Sequence, residues 1–444
     1  MGLLIIACNL VFIFVNLCNE KSFKRTISIV FHLWWLLIIS ISLINTDGLK
    51  AVSEKVYFFI FLHILTFSIG LSLNIRFNYK SSHRNTKTIT ELVKNNSILG
   101  ALAILILPIA FYAIRFMNLT STYEGAKEGR LLRFSVGELF RTNAEMYLFN
   151  FFGELLFIFA AAVCFYCLLY NPKKIALIAI SLGVFLLYAS IGMGRFEFFE
   201  ICCIFATVFL FKYYTSDRKS GVKNKIGLKH ILLLVIIALG AVFLFLYTTA
   251  SRLVTTLSLS NFKEILDISL EQVRVYTTGS FRAFDYALEN YSDNIGMNYG
   301  RMTFGGFDEI LGVFLGALGI DYPIMNYSYG ELIQEYISIG GGFSFNALYT
   351  GLFHFYFDFG IIGIIVFSFL FGLLINYFIG RLMEKHYFLD LLMVGILLNQ
   401  MFMMSMKWVL SSTGAVIVII AVLLFGKKIT LDEKNQLIQN SEVI

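Results

Sequence analysis

Phe359–Ile379 reads FGIIGIIVFSFLFGLLINYFI, with Asp358 immediately before it and Arg381 just beyond. At 1.5 Å per helical residue, an uncharged run of this length crosses a hydrocarbon layer of about 30 Å. Hydrocarbon cannot solvate peptide groups, so only a backbone hydrogen-bonded to itself crosses it. A transmembrane helix is therefore expected. Similar apolar runs occur at Leu3–Leu17, Ile27–Ile44, Val56–Leu73, Ile98–Ile114, Tyr147–Tyr170, Ile175–Ile191, Phe196–Tyr213, His230–Tyr247, Phe388–Met406 and Trp408–Phe425. The expected fold is all-α, a polytopic membrane protein of about eleven transmembrane helices.

Composition agrees with that class. Hydrophobic residues make up 58% of the chain and charged residues 14%, whereas a soluble domain carries about 25% charge. Leu3–Leu17 lacks a basic flank and a small-residue cleavage site, so it reads as a retained span. With the amino terminus outside, most of the 35 Lys and Arg fall in inward connections, including the run Lys212, Arg218, Lys219, Lys223, Lys225 and Lys229. Cytoplasmic loops carry that bias. The net charge of +6 then needs no nucleic acid to explain it.

One connection departs from the rest. Residues 249–345 form a large extracytoplasmic loop between spans eight and nine. Residues 1–248 hold the first eight spans, with a smaller outer loop at 115–146. Residues 346–426 supply a short outer helix and spans nine to eleven, and 427–444 a cytoplasmic tail. Within the large loop, Phe262, Ile265, Leu266, Ser269 and Val273 recur at helical spacing, and Ser280–Tyr291 reads as a second helix. Glycine and tyrosine follow, from Tyr299-Gly300 to Gly340–Gly342. Amphipathic helices lying on the membrane, linked by flexible joints, would have this pattern. Tyrosine rings suit the C–H faces and hydroxyls of sugars, although an interfacial aromatic belt explains them as simply.

Charges near the bilayer are costly unless water or a partner compensates them. Here they gather at the outer ends of spans: Arg195, then Glu197 and Glu200 three residues apart, Arg252 and Asp358. Arg282 and Arg301 lie in the outer loop. Arginine grips phosphate oxygens through two parallel hydrogen bonds, so a convergent set suits a lipid pyrophosphate. Taken singly, each is as readily an interfacial anchor. His32 and His63 sit alone on apolar helices and read as satisfied core residues. Cys164 and Cys167 form a C-x-x-C on an apolar helix and read as packing. No zinc spacing, phosphate-binding glycine motif or serine elbow is present. Neither metal nor cofactor is called for.

Three stretches carry a likeness: Gly192-Met193-Gly194-Arg195, Gly279–Tyr286 with Tyr299–Gly306, and Phe345–Leu352 with Tyr356–Gly360. In these the chain resembles the Wzy-type oligosaccharide repeat-unit polymerases of bacterial O-antigen and capsule. The resemblance implies a glycosyltransferase of GT-C-like architecture at the outer face of the cytoplasmic membrane. It would transfer a growing glycan from undecaprenyl pyrophosphate to an incoming lipid-linked repeat unit. By that reading Arg195 and Arg252 clamp pyrophosphate, with Arg282 as a third. His354, Asp358 and Glu197 are the candidate bases, and Glu197, Glu200, Arg301, Asn346 and Tyr349 line the substrate. Related ligases carry a histidine where Asn346 stands, with His354 two turns later, so the base is not fixed by alignment of motifs. A chain-length regulator and a flippase are the partners the family implies.

Two alternatives stay open. An O-antigen ligase shares the arginine logic. A transporter or flippase would show paired repeats with helices broken at matching positions, which the sequence lacks.

Overall fold

A computed structural model of the chain describes residues 1–44, 48–74, 87–120, 136–192, 196–220, short pieces between 239 and 250, 260–291, 295–346 and 348–431. Helices dominate. They are α1 (Gly2–Leu17), α2 (Phe23–Leu43), α3 (Glu54–Ser72), α4 (Ile89–Lys94), α5 (Ser97–Thr120), α6 (Asn143–Tyr170), α7 (Ile175–Gly192) and α8 (Phe196–Ser220). There follow α9 (Phe262–Asn290), α10 (Gly305–Ala317), α11 (Met325–Gln334), α12 (Gly351–Lys385), α13 (Phe388–Met403) and α14 (Thr413–Phe425). Among the described residues, α2, α3, α5, α6 and α12 are long and apolar enough to cross a membrane, and α1, α7, α13 and α14 are shorter apolar helices. The chain is thus a polytopic helical membrane protein. The expected spans other than His230–Tyr247 fall on helices, but α8, at the expected span Phe196–Tyr213, is not among those long and apolar enough to cross; most of His230–Tyr247 lies outside the described residues.

Two compact units interleave along the sequence. The first comprises Met1–Phe77, Glu271–Ile379 and Gln400–Val416; the second comprises Asn78–Leu270, Gly380–Asn399 and Ile417–Ile444.

Aromatic side chains fill the first unit. Phe31 stacks on Phe67 with ring centroids 4.1 Å apart, Trp35 lies parallel to Phe281 at 6.3 Å, and Phe59 meets Tyr356 at 5.2 Å. Helices α3 and α12 pack backbone to backbone. A Cβ on Gly70 would strike the Phe369 carbonyl, and one on Gly372 would strike the Phe67 carbonyl. Small residues permit such approach where lipid tails are as apolar as leucine and burial alone does not drive association. His32 is hydrogen-bonded through both ring nitrogens and His63 through one, its Nε2 being buried with no hydrogen-bond partner among the described residues. His32 Nδ1 lies 2.8 Å from Asn9 Oδ1 and its Nε2 3.2 Å from Ser68 Oγ; His63 Nδ1 lies 2.8 Å from Ser368 Oγ.

In the second unit, α6 is lined by the fully buried run Ala160–Val163 and packs Phe157 against Tyr188 of α7 at 5.0 Å. Arg381 and Asp390 form a buried ion pair there. A two-residue strand, β1 (Lys87–Thr88), pairs in parallel with β4 (Ile429–Thr430). The cysteines Cys164 and Cys167 are both buried and free.

The large loop is more regular than its composition implies. The two helices expected at Asn261–Val273 and Ser280–Tyr291 are one, α9, running through Gly279 without a break. Gly279 is there for closeness rather than for a turn, since a Cβ on it would lie 2.7 Å from the Phe345 ring. Phe345 belongs to a hairpin of β2 (Ile337–Gly340) and β3 (Phe343–Phe345). Gly340, Gly341 and Gly342 turn that hairpin at φ of 92°, 61° and 78°, a region L-residues with a Cβ rarely enter.

Candidate active site

Helix α12 is broken near its start. Phe359 has φ −144° and ψ 22°, and Gly360 has φ 61° and ψ −146°. The break separates a short segment, Gly351–Asp358, from the long apolar span that follows. Gly351 N donates to Met404 O at 2.9 Å, which pins the segment's first turn. His354 and Asp358 are four apart on this segment, so they share one face. Both are buried.

Asp358 is fully committed. Its carboxylate accepts from Met302 N at 3.1 Å and Thr303 N at 2.6 Å. The neighbouring Phe357 O accepts from Asn298 N at 3.0 Å. Together they fasten the turn at 298–304 to the break in α12. Trp408 Nε1 donates to Thr303 O at 2.8 Å and braces the same turn from beyond α13.

His354 meets two residues that the sequence did not single out as a pair. Its Nε2 lies 3.3 Å from Tyr329 OH, and that hydroxyl donates to Asn326 Oδ1 at 2.6 Å. With the Tyr329 proton given to Asn326, the phenolic oxygen can only accept from His354, which places the imidazole proton on Nε2. Nδ1 is then the basic nitrogen. It is buried and has no hydrogen-bond partner among the described residues. Orphaned buried polar atoms are uncommon, because each forfeits its hydration.

Asn326 and Tyr329 are held in place from α10. Asp308 accepts from Met325 N at 2.7 Å, at the start of α11, where a carboxylate also complements the helix dipole. Asp308 accepts too from Tyr322 OH at 2.6 Å and Arg301 Nε at 2.8 Å. Arg301 lies over the Tyr322 ring, 5.0 Å from its centroid. The hydrogen bond to Asp308 raises the pKa of both Arg301 and Tyr322. Gly305 supplies the space: a Cβ there would collide with the Asn326 amide. Glu309 accepts from Thr413 Oγ1 and Tyr327 OH, a second tie to α11.

Arg282 is buried on α9. Its Nε donates to Lys50 O at 2.6 Å and Nη1 to Thr278 O at 3.0 Å. Burial lowers its pKa, and among the described residues no carboxylate pairs with it. One turn further along, Asp285 accepts from Ser53 N and Ser53 Oγ at 2.8 and 2.6 Å. Arg282 and Asp285 so clasp the connection between α2 and α3.

The remaining residues fall as follows. Tyr349 is buried, its ring 5.1 Å from Phe353 and 6.2 Å from Tyr291. Asn346 donates to Gln334 O at 2.8 Å and ends the hairpin. Glu197 and Glu200 lie in the first turns of α8, Glu200 buried. Arg195 and Arg252 lie outside the described residues. His354, Asp358, Arg301 and Tyr349 therefore belong to one unit, with Tyr329, Asn326 and Asp308 as the additional members of the polar centre. Asn326 and Asp308 carried no motif. Polarity alone did not set them apart in a loop that also carries many other charged residues.

A buried polar centre thus lies against the broken start of a long apolar helix, in a chain with the helices of a polytopic membrane protein. The family model for the O-antigen polysaccharide polymerase Wzy matches residues 1–434. The chain belongs to this family of membrane polymerases acting on oligosaccharide repeat units. No curated protein and no solved structure matches it.

Proposed function

We propose that the chain polymerises undecaprenyl-pyrophosphate-linked repeat units at the outer face of the cytoplasmic membrane, with His354 as the general base. The orphaned Nδ1 of His354 is the observation that carries this reading. A hydroxyl of the incoming unit donates to Nδ1 and its oxygen attacks the anomeric carbon of the growing glycan. The bond from that carbon to pyrophosphate breaks, and the leaving oxygen takes the electron pair. Positioned proton acceptors contribute about 10²–10⁴ in rate. Tyr329 keeps the ring in the receptive tautomer. Since Nδ1 is enclosed, the hydroxyl reaches it only by parting the side chains around it.

Developing charge on the pyrophosphate calls for preorganised cations. Arg195 and Arg252 are our assignment for that clamp. Arg282 fits as a third member because its buried guanidinium donates to two backbone carbonyls and pairs with no carboxylate among the described residues, an arrangement that an anion would stabilise. Arg301 is occupied by Asp308, and Asp358 by the turn at 302–303, so both position rather than react. Glu197, Glu200, Asn346 and Tyr349 remain candidates for contact with sugar.

Gel analysis of surface polysaccharide tests the proposal. Deletion of the gene should leave lipid carrying a single repeat unit, and a His354→Ala allele should reproduce that pattern with the protein still inserted. Undecorated core in place of single units would point to a ligase or flippase, and long chains from the His354→Ala allele would remove the base.

A further inference from the structure

Helix α10 is built inside out for water. Asp308 is buried against Arg301 and Tyr322, and Glu309 is half-buried, bonded to Tyr327 and Thr413. Its outward side is apolar: Phe304, Phe307, Leu311, Phe314 and Leu318 are exposed, the last two at 61%. Their spacing of three and four residues makes one continuous stripe along the helix and its flanks.

What covers that stripe follows from its neighbours. Phe304 touches Phe367, which lies two turns inside the apolar span of α12, at 5.8 Å. On the same span Ile361, Ile362, Val366 and Leu370 are exposed, as lipid-facing side chains of a membrane helix are. Gly306 sits against Ser412 O and Val416, where α14 begins, so closely that a Cβ would lie 2.6 Å from that carbonyl. The start of α10 is thus level with the interior of one apolar helix and the first turn of another. Its stripe is continuous with the surface of α12 that hydrocarbon must cover.

We infer that α10 is an in-plane membrane anchor, with Phe307, Leu311, Phe314 and Leu318 seated among the acyl chains of one leaflet. Its carboxylates hold α11, and through Asn326 and Tyr329 they hold His354. The anchor thereby fixes the height of the polar centre against the bilayer. This rests on the membrane-embedded class of the chain and not on the role given to His354.

The test uses the full-length protein in nanodiscs, with Phe314→Trp and Ile362→Trp compared after subtracting the emission of Trp34, Trp35 and Trp408. Discs are made with ordinary or with bromine-labelled phosphatidylcholine, and acrylamide is added as an aqueous quencher. The anchor predicts that the Phe314→Trp signal is quenched by brominated lipid about as strongly as that of Ile362→Trp and is protected from acrylamide. Acrylamide quenching of Phe314→Trp without loss to brominated lipid would overturn it and mark a face for a soluble partner. Phe307→Trp repeats the measurement about two helical turns away, should Phe314→Trp fold poorly. Neither reading depends on activity, so failure of the polymerase chemistry would leave the result unaffected.

Discussion

The base role proposed for His354 depends on Tyr329 donating its own proton to Asn326. Replacing His354 with alanine should lower polymerisation by about 10²–10⁴, measured as chain-length ladders per unit of inserted protein. Tyr329→Phe removes the group that fixes the tautomer and leaves the ring packed against Phe353. A smaller loss is expected there, with an altered pH–rate profile that a purely structural change would not produce. Asp308→Ala strands Tyr322 OH and Met325 N and unpairs Arg301. Destabilisation of about 2–4 kcal/mol is expected, read from thermal unfolding in detergent. Some of this centre was legible in the sequence. Asp358 stood out because a charge beside an apolar run is expensive, whereas His354 came in only through the family resemblance. Asn326 and Asp308 did not stand out, because their significance lies in contacts between α10, α11 and α12 that no local pattern encodes. The same holds for Arg301 and Arg282: the sequence shows a cation, and only the fold shows what already occupies it.

At the scale of the element, two features of α12 decide how the centre meets the span. The first is the break at Phe359–Gly360. Gly360 adopts φ 61° and ψ −146°, a conformation essentially restricted to glycine, and Gly360→Ala should cost about 1–3 kcal/mol and disturb the turn at 298–304. Unfolding temperature and polymer length report the two effects separately. The second is the close contact with α3. Gly372→Val would force the helices apart at the Phe67 carbonyl, and loss of the monodisperse peak in size-exclusion chromatography is the expected outcome. Helices were the most legible part of the molecule, since hydrocarbon length and backbone satisfaction leave few alternatives to a long apolar run. The boundary before Phe359 was legible for the same reason: a carboxylate precedes it. The loop was read less well. Two helical stretches were expected on either side of Gly279, yet it lies inside α9, where the missing side chain admits the Phe345 ring. A glycine needed for close approach and one needed for a turn are indistinguishable without the partner.

At the scale of the whole chain, the account predicts that the polar centre of the first unit and the arginines assigned to the pyrophosphate clamp are both needed for chain growth. Arg195→Ala or Arg252→Ala should abolish long glycans with normal insertion, because the departing diphosphate would lose its counter-charge. Normal amount and length of polymer from either variant would remove that residue from the clamp. The most direct measurement is made on purified protein in liposomes, supplied only with an undecaprenyl-pyrophosphate-linked repeat unit. The unaltered chain should convert single units into a ladder of longer glycans while His354→Ala leaves them single. A ladder of equal length and rate from His354→Ala, or no ladder from the unaltered chain with folded protein confirmed, would contradict the central claim.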